Sequence, residues 1–231
     1  MNTSILVVAA HPDDEVLGCG GAIARFSSEG CDVHVLILAD GETSRNGQSQ
    51  VHDVSARQVN SRMACEILGC KTVEFLTFPD NKMDVVPRLE IVKCIEDAIC
   101  RLQPKTIITH TSSDVNIDHR IVHDSVIVAC RPQPDFSVTN LLFFEIPSST
   151  EWRPPGSSSG FHPNWFIDIS PFLEKKLNAL MVYEKELRQF PHSRSIEAVS
   201  ALAKWRGASV GLAAAEAFVL GRQIVRTNVS S

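Results

Sequence analysis

Residues 4–21 read SILVVAAHPDDEVLGCGG. The first seven form a nearly continuous apolar run, the composition of a strand buried on both faces. The last four are small residues entering a helix, as where a helix must pack close against a sheet. Between them His11, Asp13, Asp14 and Glu15 crowd into five positions, where desolvated charge is costly unless something compensates it. The same alternation recurs downstream. VHVLILA (33–39), TVEFLTF (72–78), KTIITH (105–110) and LLFFEI (141–146) read as strands, and 15–29, 55–68, 88–102 and 119–130 as helices. This pattern predicts an α/β fold, a Rossmann-like three-layer sandwich with a mostly parallel central sheet and its site at the carboxyl ends of the strands.

The chain has 231 residues, suited to one domain over 1–231 in which the part from about 151 adds a lid loop and helices completing the site. The lid is EWRPPGSSSGFHPNW (151–165), rich in Pro, Gly and Ser; its Trp152, His162 and Trp165 are candidates to touch a substrate. A helix opened by Ser170 as N-cap and Pro171 as first residue should follow, with Phe172, Leu173, Leu177, Leu180, Met181 and Leu187 on its apolar stripe. A second should cover 195–208.

Hydrophobic residues make up 44%, charged residues 21%, and the net charge is −5, so no basic footprint for nucleic acid is present. The N-terminal apolar run is shorter than a membrane span and lacks a basic region before it, so no membrane insertion is expected. Seven cysteines without a CxxC pair point to reduced thiols and a cytoplasmic setting rather than a disulfide framework. The Asn228 glycosylation sequon then reads as chance. A homo-oligomer is compatible with everything above.

Three polar clusters fall at strand ends: HPDDE, DGETSRNGQSQVHD and HTSSDVNIDH. His11 and Asp14, three apart on a turn, can converge on one cation, and catalytic zinc takes three N/O ligands with a place left for water. His119, at another strand's end, is the natural third. Asp13 would then stand beside the water as general base. His123 shares a helix face with His119, but that face continues into the apolar VIVAC and suits the core. The rival reading is a phosphate loop at GCGGA. It fits poorly, because GxGxxG is incomplete, no GK[ST] follows, and the neighbouring carboxylates repel phosphate.

With AAHPDDEVLGCGG and the strand-end NIDHRIVHDSV, the chain resembles the LmbE-like (PIG-L) family of metal-dependent N-acetylglucosaminyl deacetylases. Arg57, Asp80 in LTFPDNK, PHSRS and RGASVGLAAAEAF look like further family features. The resemblance implies zinc, or another divalent metal, held by His11, Asp14 and His119, with Asp13 as base and Arg57 and Asp80 binding sugar hydroxyls. The implied reaction is removal of an N-acetyl group from an amino sugar or sugar conjugate. One departure stands out. Many members carry HPDH where this chain has Asn116-Ile117-Asp118-His119. Asn116 can donate to an oxyanion but cannot deliver a proton. His192 is the candidate acid, with Arg194 as a carbonyl or anion clamp; His110 and Asp114 are the alternatives, and Asp118 suits orienting a ligand histidine. A non-hydrolytic nucleotide- or sugar-binding module and an amidase acting on a non-sugar amide are the competing functions. Loops 41–54 and 147–165 are expected to select the substrate.

Overall fold

The computed structural model describes residues 3–39, 50–134, 136–154, 156 and 160–225, with side chains at all of these except 50–55. The expected loop at 41–49, the side chains of 50–54 and the Asn228 sequon lie outside the described residues. Strands β1 (Ser4–Ala9), β2 (Asp32–Ala39), β3 (Thr72–Phe78), β4 (Thr106–His110) and β5 (Asn140–Phe144) alternate with helices α1 (Asp14–Ser28), α2 (Gln50–Leu68), α3 (Arg88–Leu102) and α4 (Ile117–Ala129). Then come β6 (Trp165–Asp168), α5 (Leu173–Met181), α6 (Ile196–Ala208) and β7 (Ala215–Gln223).

Among the described residues the strands form one sheet in the order β3-β2-β1-β4-β5-β7-β6. β1 to β5 are parallel, and β7 runs antiparallel to both of its neighbours. Ile5–Val8 of β1 pair with Val33–Leu36 on one side and Thr106–Thr109 on the other. The strand order therefore reverses between β1 and β4, and the loops leaving those two strands diverge there. That crevice at the carboxyl ends is where an open α/β sheet binds ligands.

Both faces of the sheet are covered, as the unbroken apolar strands require. α3 buries Ile91, Val92, Ile95 and Ile99, and α4 buries Ile121, Val122 and Val126, against one face. α1, α5 and α6 cover the other through Val16, Ile23, Leu177, Leu180, Val199 and Ala203. Each of the Val, Leu and Ile side chains contributes about 1.5–3 kcal/mol on burial.

The glycines of GCGG have a steric cause. A Cβ at Gly18 would meet the Phe144 ring at 2.5 Å, and one at Gly21 would meet Ile169 at 2.7 Å. α1 is also interrupted, because Cys19 leaves helical geometry (φ −149°, ψ 24°). The backbone N–H groups of Gly21 and Ala22 donate instead to the Glu216 carboxylate, at 2.9 and 2.7 Å. Lys176 Nζ neutralises that carboxylate at 2.6 Å and also donates to the Leu17 carbonyl at 2.9 Å.

The C-terminal third departs most from expectation. The residues 170–172 form a short 3-10 turn before α5, and Ser170 caps nothing; its hydroxyl donates to Asp168 Oδ1 at 2.6 Å. α5 ends at Met181, which is 51% exposed rather than part of the buried stripe. β6 and β7 add an antiparallel edge that the alternating pattern did not predict. Trp165 opens β6, pairs with Phe218 of β7, and borders a groove that runs down to Thr3, Thr106 and Asn140. It lies on β6, the edge strand two places beyond β5, and is not among the residues that line the cavity at His11, Asp14 and His119.

Candidate metal centre

β1 delivers His11, Asp13 and Asp14, and β4 delivers the loop to Asp118 and His119. His11, Asp14 and His119 are all buried, and their ligand atoms lie within 4.8 Å of one another. Asp14 Oδ2 is 3.2 Å from His11 Nδ1 and 3.3 Å from His119 Nε2. The remaining ring nitrogens face carboxylates. His11 Nε2 stands 3.1 Å from Asp118 Oδ2, and His119 Nδ1 3.2 Å from Asp114 Oδ2. A proton held on the outer nitrogen of each ring leaves the inner lone pair for a cation.

These orienting carboxylates are themselves anchored. Asp118 accepts the backbone N–H groups of Asn81 at 2.6 Å and Met83 at 3.0 Å. Asp114 accepts the hydroxyls of Ser149 and Thr150 and the Asn116 N–H. Burial would raise the Asp114 pKa, but the hydrogen bond and charge of His119 outweigh it and hold it at about 2. Burial would lower that of His119, yet Asp14 and Asp114 lift it to about 9. The field that retains a proton on His119 is one that would retain a cation in its place.

A cavity of about 250 Å³ opens over this trio. Its wall is almost entirely polar, with Asp13, Asp80, Asn81, Asn116, Ser148 and Ser149 joined by Arg57, Glu186 and Arg194. Among the lining groups four carboxylates face two guanidiniums, a deficit that one divalent cation balances. Donor chemistry, burial and charge all fit a metal ion.

Asp13 is the carboxylate beside the trio. Burial pushes its pKa up to about 6, against the Arg194 guanidinium, whose Nη1 lies 3.1 Å from Asp13 Oδ2. Arg194 Nε also donates to Ser148 Oγ at 3.0 Å. Arg57 Nη2 is 2.6 Å from Glu186 Oε1. Asp80 lines the cavity, and its Oδ1 is 3.0 Å from His11 Nε2, so it shares that histidine with Asp118.

Two of the expected residues have further partners in the structure. His192 is not among the lining residues; its Nδ1 accepts the Arg194 N–H at 3.0 Å and its ring meets the edge of Trp152. Asn116 has a local task, because its Oδ1 caps α4 by accepting from Asp118 N at 2.8 Å, while its Nδ2 donates to Asn81 Oδ1 at 3.1 Å. His110 is buried under the site, stacked on His119 at 4.1 Å with Nε2 accepting the Ala10 N–H. His123 Nδ1 faces the His110 carbonyl at 2.9 Å, away from the trio.

Ser148, Ser149, Asn81 and Glu186 were not foreseen as site residues. The serines follow the end of β5, where the strand-end rule already pointed. Glu186, in KELRQF, carries no local signal; only packing against α2 brings it to Arg57.

Residues 6–130 match the PIG-L family, described as GlcNAc-PI de-N-acetylase. The chain is similar to the diacetylchitobiose deacetylase of Thermococcus kodakarensis, 29% identical over 200 residues that make up 81% of this chain and 70% of that protein. It is also similar to the 4-oxalmesaconate hydratase of Pseudomonas putida, 31% identical over 208 residues, 78% of this chain and 74% of the other. Among solved structures, a conserved protein of Thermus thermophilus superposes with a TM-score of 0.75 at 28% identity, covering 98% of both chains.

Proposed function

The chain belongs to the PIG-L family, and on that footing we propose that it is a metal-dependent hydrolase that removes the N-acetyl group from an amino sugar or its conjugate. The observation that carries this reading is the buried trio of His11, Asp14 and His119 with Asp13 beside it, at the floor of a polar cavity. A divalent cation, zinc in our reading, supplies Lewis acidity there to a water and to the acetamide carbonyl. Asp13 takes the proton of the attacking water. When the carbon–nitrogen bond breaks and acetate leaves, the same carboxyl returns the proton to the departing amine. Among the lining carboxyls Asp13 is suited to that return because burial raises its pKa to about 6, and Asn116 has no proton to give. Arg194 orients Asp13, and His192 serves by holding the Arg194 backbone. Asn116 Nδ2 is the donor for the carbonyl oxygen. Arg57 and Asp80 bind sugar hydroxyls. A cytoplasmic location is supported by the seven free thiols; among the described residues no helix is long and apolar enough to cross a membrane.

Hydration of an unsaturated polycarboxylate is a second reading, favoured by the similarity to the hydratase. The wall argues against it. Both guanidiniums already face carboxylates, Arg57 on Glu186 and Arg194 on Asp13, which leaves a neutral sugar better matched than a polyanion. Acetate release from a panel of N-acetylated sugars and conjugates, with metal content measured on the same sample, tests the proposal. Bound zinc with acetate release is expected. Consumption of 4-oxalmesaconate without release of acetate from any member would replace it with the second reading.

A further inference from the structure

Glu15 is fully buried and does not line the cavity, yet it touches the backbone of the residue that matters most to the proposed chemistry. Asp13 is the N-cap of α1 and sits in the left-handed region, φ 112° and ψ −27°, which a residue with a Cβ rarely adopts. An aspartate at that position ordinarily turns its side chain inward to accept a helix N–H. Asp13 makes no such bond; its carboxylate points to Arg194 and the cavity. In a capping box a glutamate reaches back to the N-cap N–H while the cap side chain reaches forward. Only the backward half is present here, and it comes from the second helical position: Glu15 Oε2 accepts the Asp13 N–H at 3.0 Å.

The other oxygen of Glu15 is held from outside the loop. Oε1 accepts the hydroxyl of Tyr183, the single tyrosine of the chain, and that of Ser61 on α2 at 3.3 Å. Both partners are buried, so water cannot replace them. We propose that Glu15, backed by Tyr183 and Ser61, is a positioning residue that holds the Asp13 turn in place so that the Asp13 carboxylate is released from capping and faces the cavity. This rests on the reading of Asp13 as the proton carrier. It also accounts for a carboxylate that a metal site does not otherwise require.

The test compares Glu15→Ala, Glu15→Gln and Tyr183→Phe in the metal-loaded chain. Glu15→Ala should lower kcat for acetate release tenfold or more while KM and metal content stay at wild-type values. Glu15→Gln, whose amide oxygen still accepts the Asp13 N–H, should recover most of that loss, and Tyr183→Phe should fall between. A crystal structure of Glu15→Ala should show residue 13 outside the left-handed region and its carboxylate away from Arg194. Wild-type kcat in Glu15→Ala, or an unchanged Asp13 in its crystal structure, overturns the inference. Should Glu15→Ala not fold, the double variant Tyr183→Phe/Ser61→Ala decides in its place, and full kcat there overturns it. A wild-type chain that releases no acetate defeats the functional reading alone, and the crystallographic comparison then decides the positioning role by itself.

Discussion

The segment through β5 and the segment from β6 onward contribute to one site in opposite ways. From the first come His11, Asp13, Asp14 and His119, each at the end of a parallel strand or the start of the helix after it. The second supplies none of the trio. It supplies what presses on them: Arg194 against Asp13, Glu186 against Arg57, Tyr183 against Glu15, and the Lys176–Glu216 pair beneath the break in α1. Strand ends concentrate reactive groups because the sheet delivers them there without further cost. Restraining those groups requires contacts from elements far away in the chain, and the segment that includes the antiparallel edge provides them.

This contrast can be broken at several points. Asp14→Ala should have the largest effect, since Asp14 Oδ2 lies 3.2 Å from His11 Nδ1 and 3.3 Å from His119 Nε2; the purified variant should hold no stoichiometric metal by elemental analysis and release no acetate. Asp13→Ala should keep its metal and lose roughly 10²- to 10⁴-fold in kcat, the range of a general acid–base group. A variant that turns over normally would remove Asp13 from the mechanism. Lys176→Ala sharpens the comparison from the other side. It leaves the buried Glu216 carboxylate without its counter-charge and should cost about 3–5 kcal/mol in denaturant unfolding, with kcat per folded molecule unchanged. A kcat loss matching that of Asp13→Ala would show that the break in α1 is coupled to the chemistry. Trp165→Ala, on the edge strand β6 and outside the cavity lining, should leave kcat/KM for acetate release as it was.

The legible part of the site was the part written locally. HPDDE follows a strand run and precedes small residues, so its place at a strand end, and the convergence of His11 with Asp14, could be read from spacing. His119 could be joined to them because α/β connectivity sends strand ends to a common edge. Glu186 and Tyr183 could not, because KELRQF and LMVYEKE have the composition of any amphipathic segment. The helix expected through Leu187 stops at Met181, and the following turns are what carry Tyr183 and Glu186 to the site. β7 was hidden for a related reason: alanine-rich AAAEAF has weak strand propensity, and the sheet's unpaired edge at β5 imposes the conformation.

By itself the sequence determined the parallel α/β core and pointed to the cluster of His11, Asp14 and His119 with Asp13 beside it, because apolar periodicity and a tight cluster of ionisable residues are properties of neighbours in the chain. Tertiary structure decided the rest. It set His192 Nδ1 against the Arg194 backbone N–H, put the Asn116 oxygen at the cap of α4, and joined Glu15 to the Asp13 N–H that Asp13 does not cap for itself. Those assignments depend on which buried donors and acceptors remain unpaired once the sheet has closed, and hydrogen bonds of that kind join residues that no spacing in the chain connects.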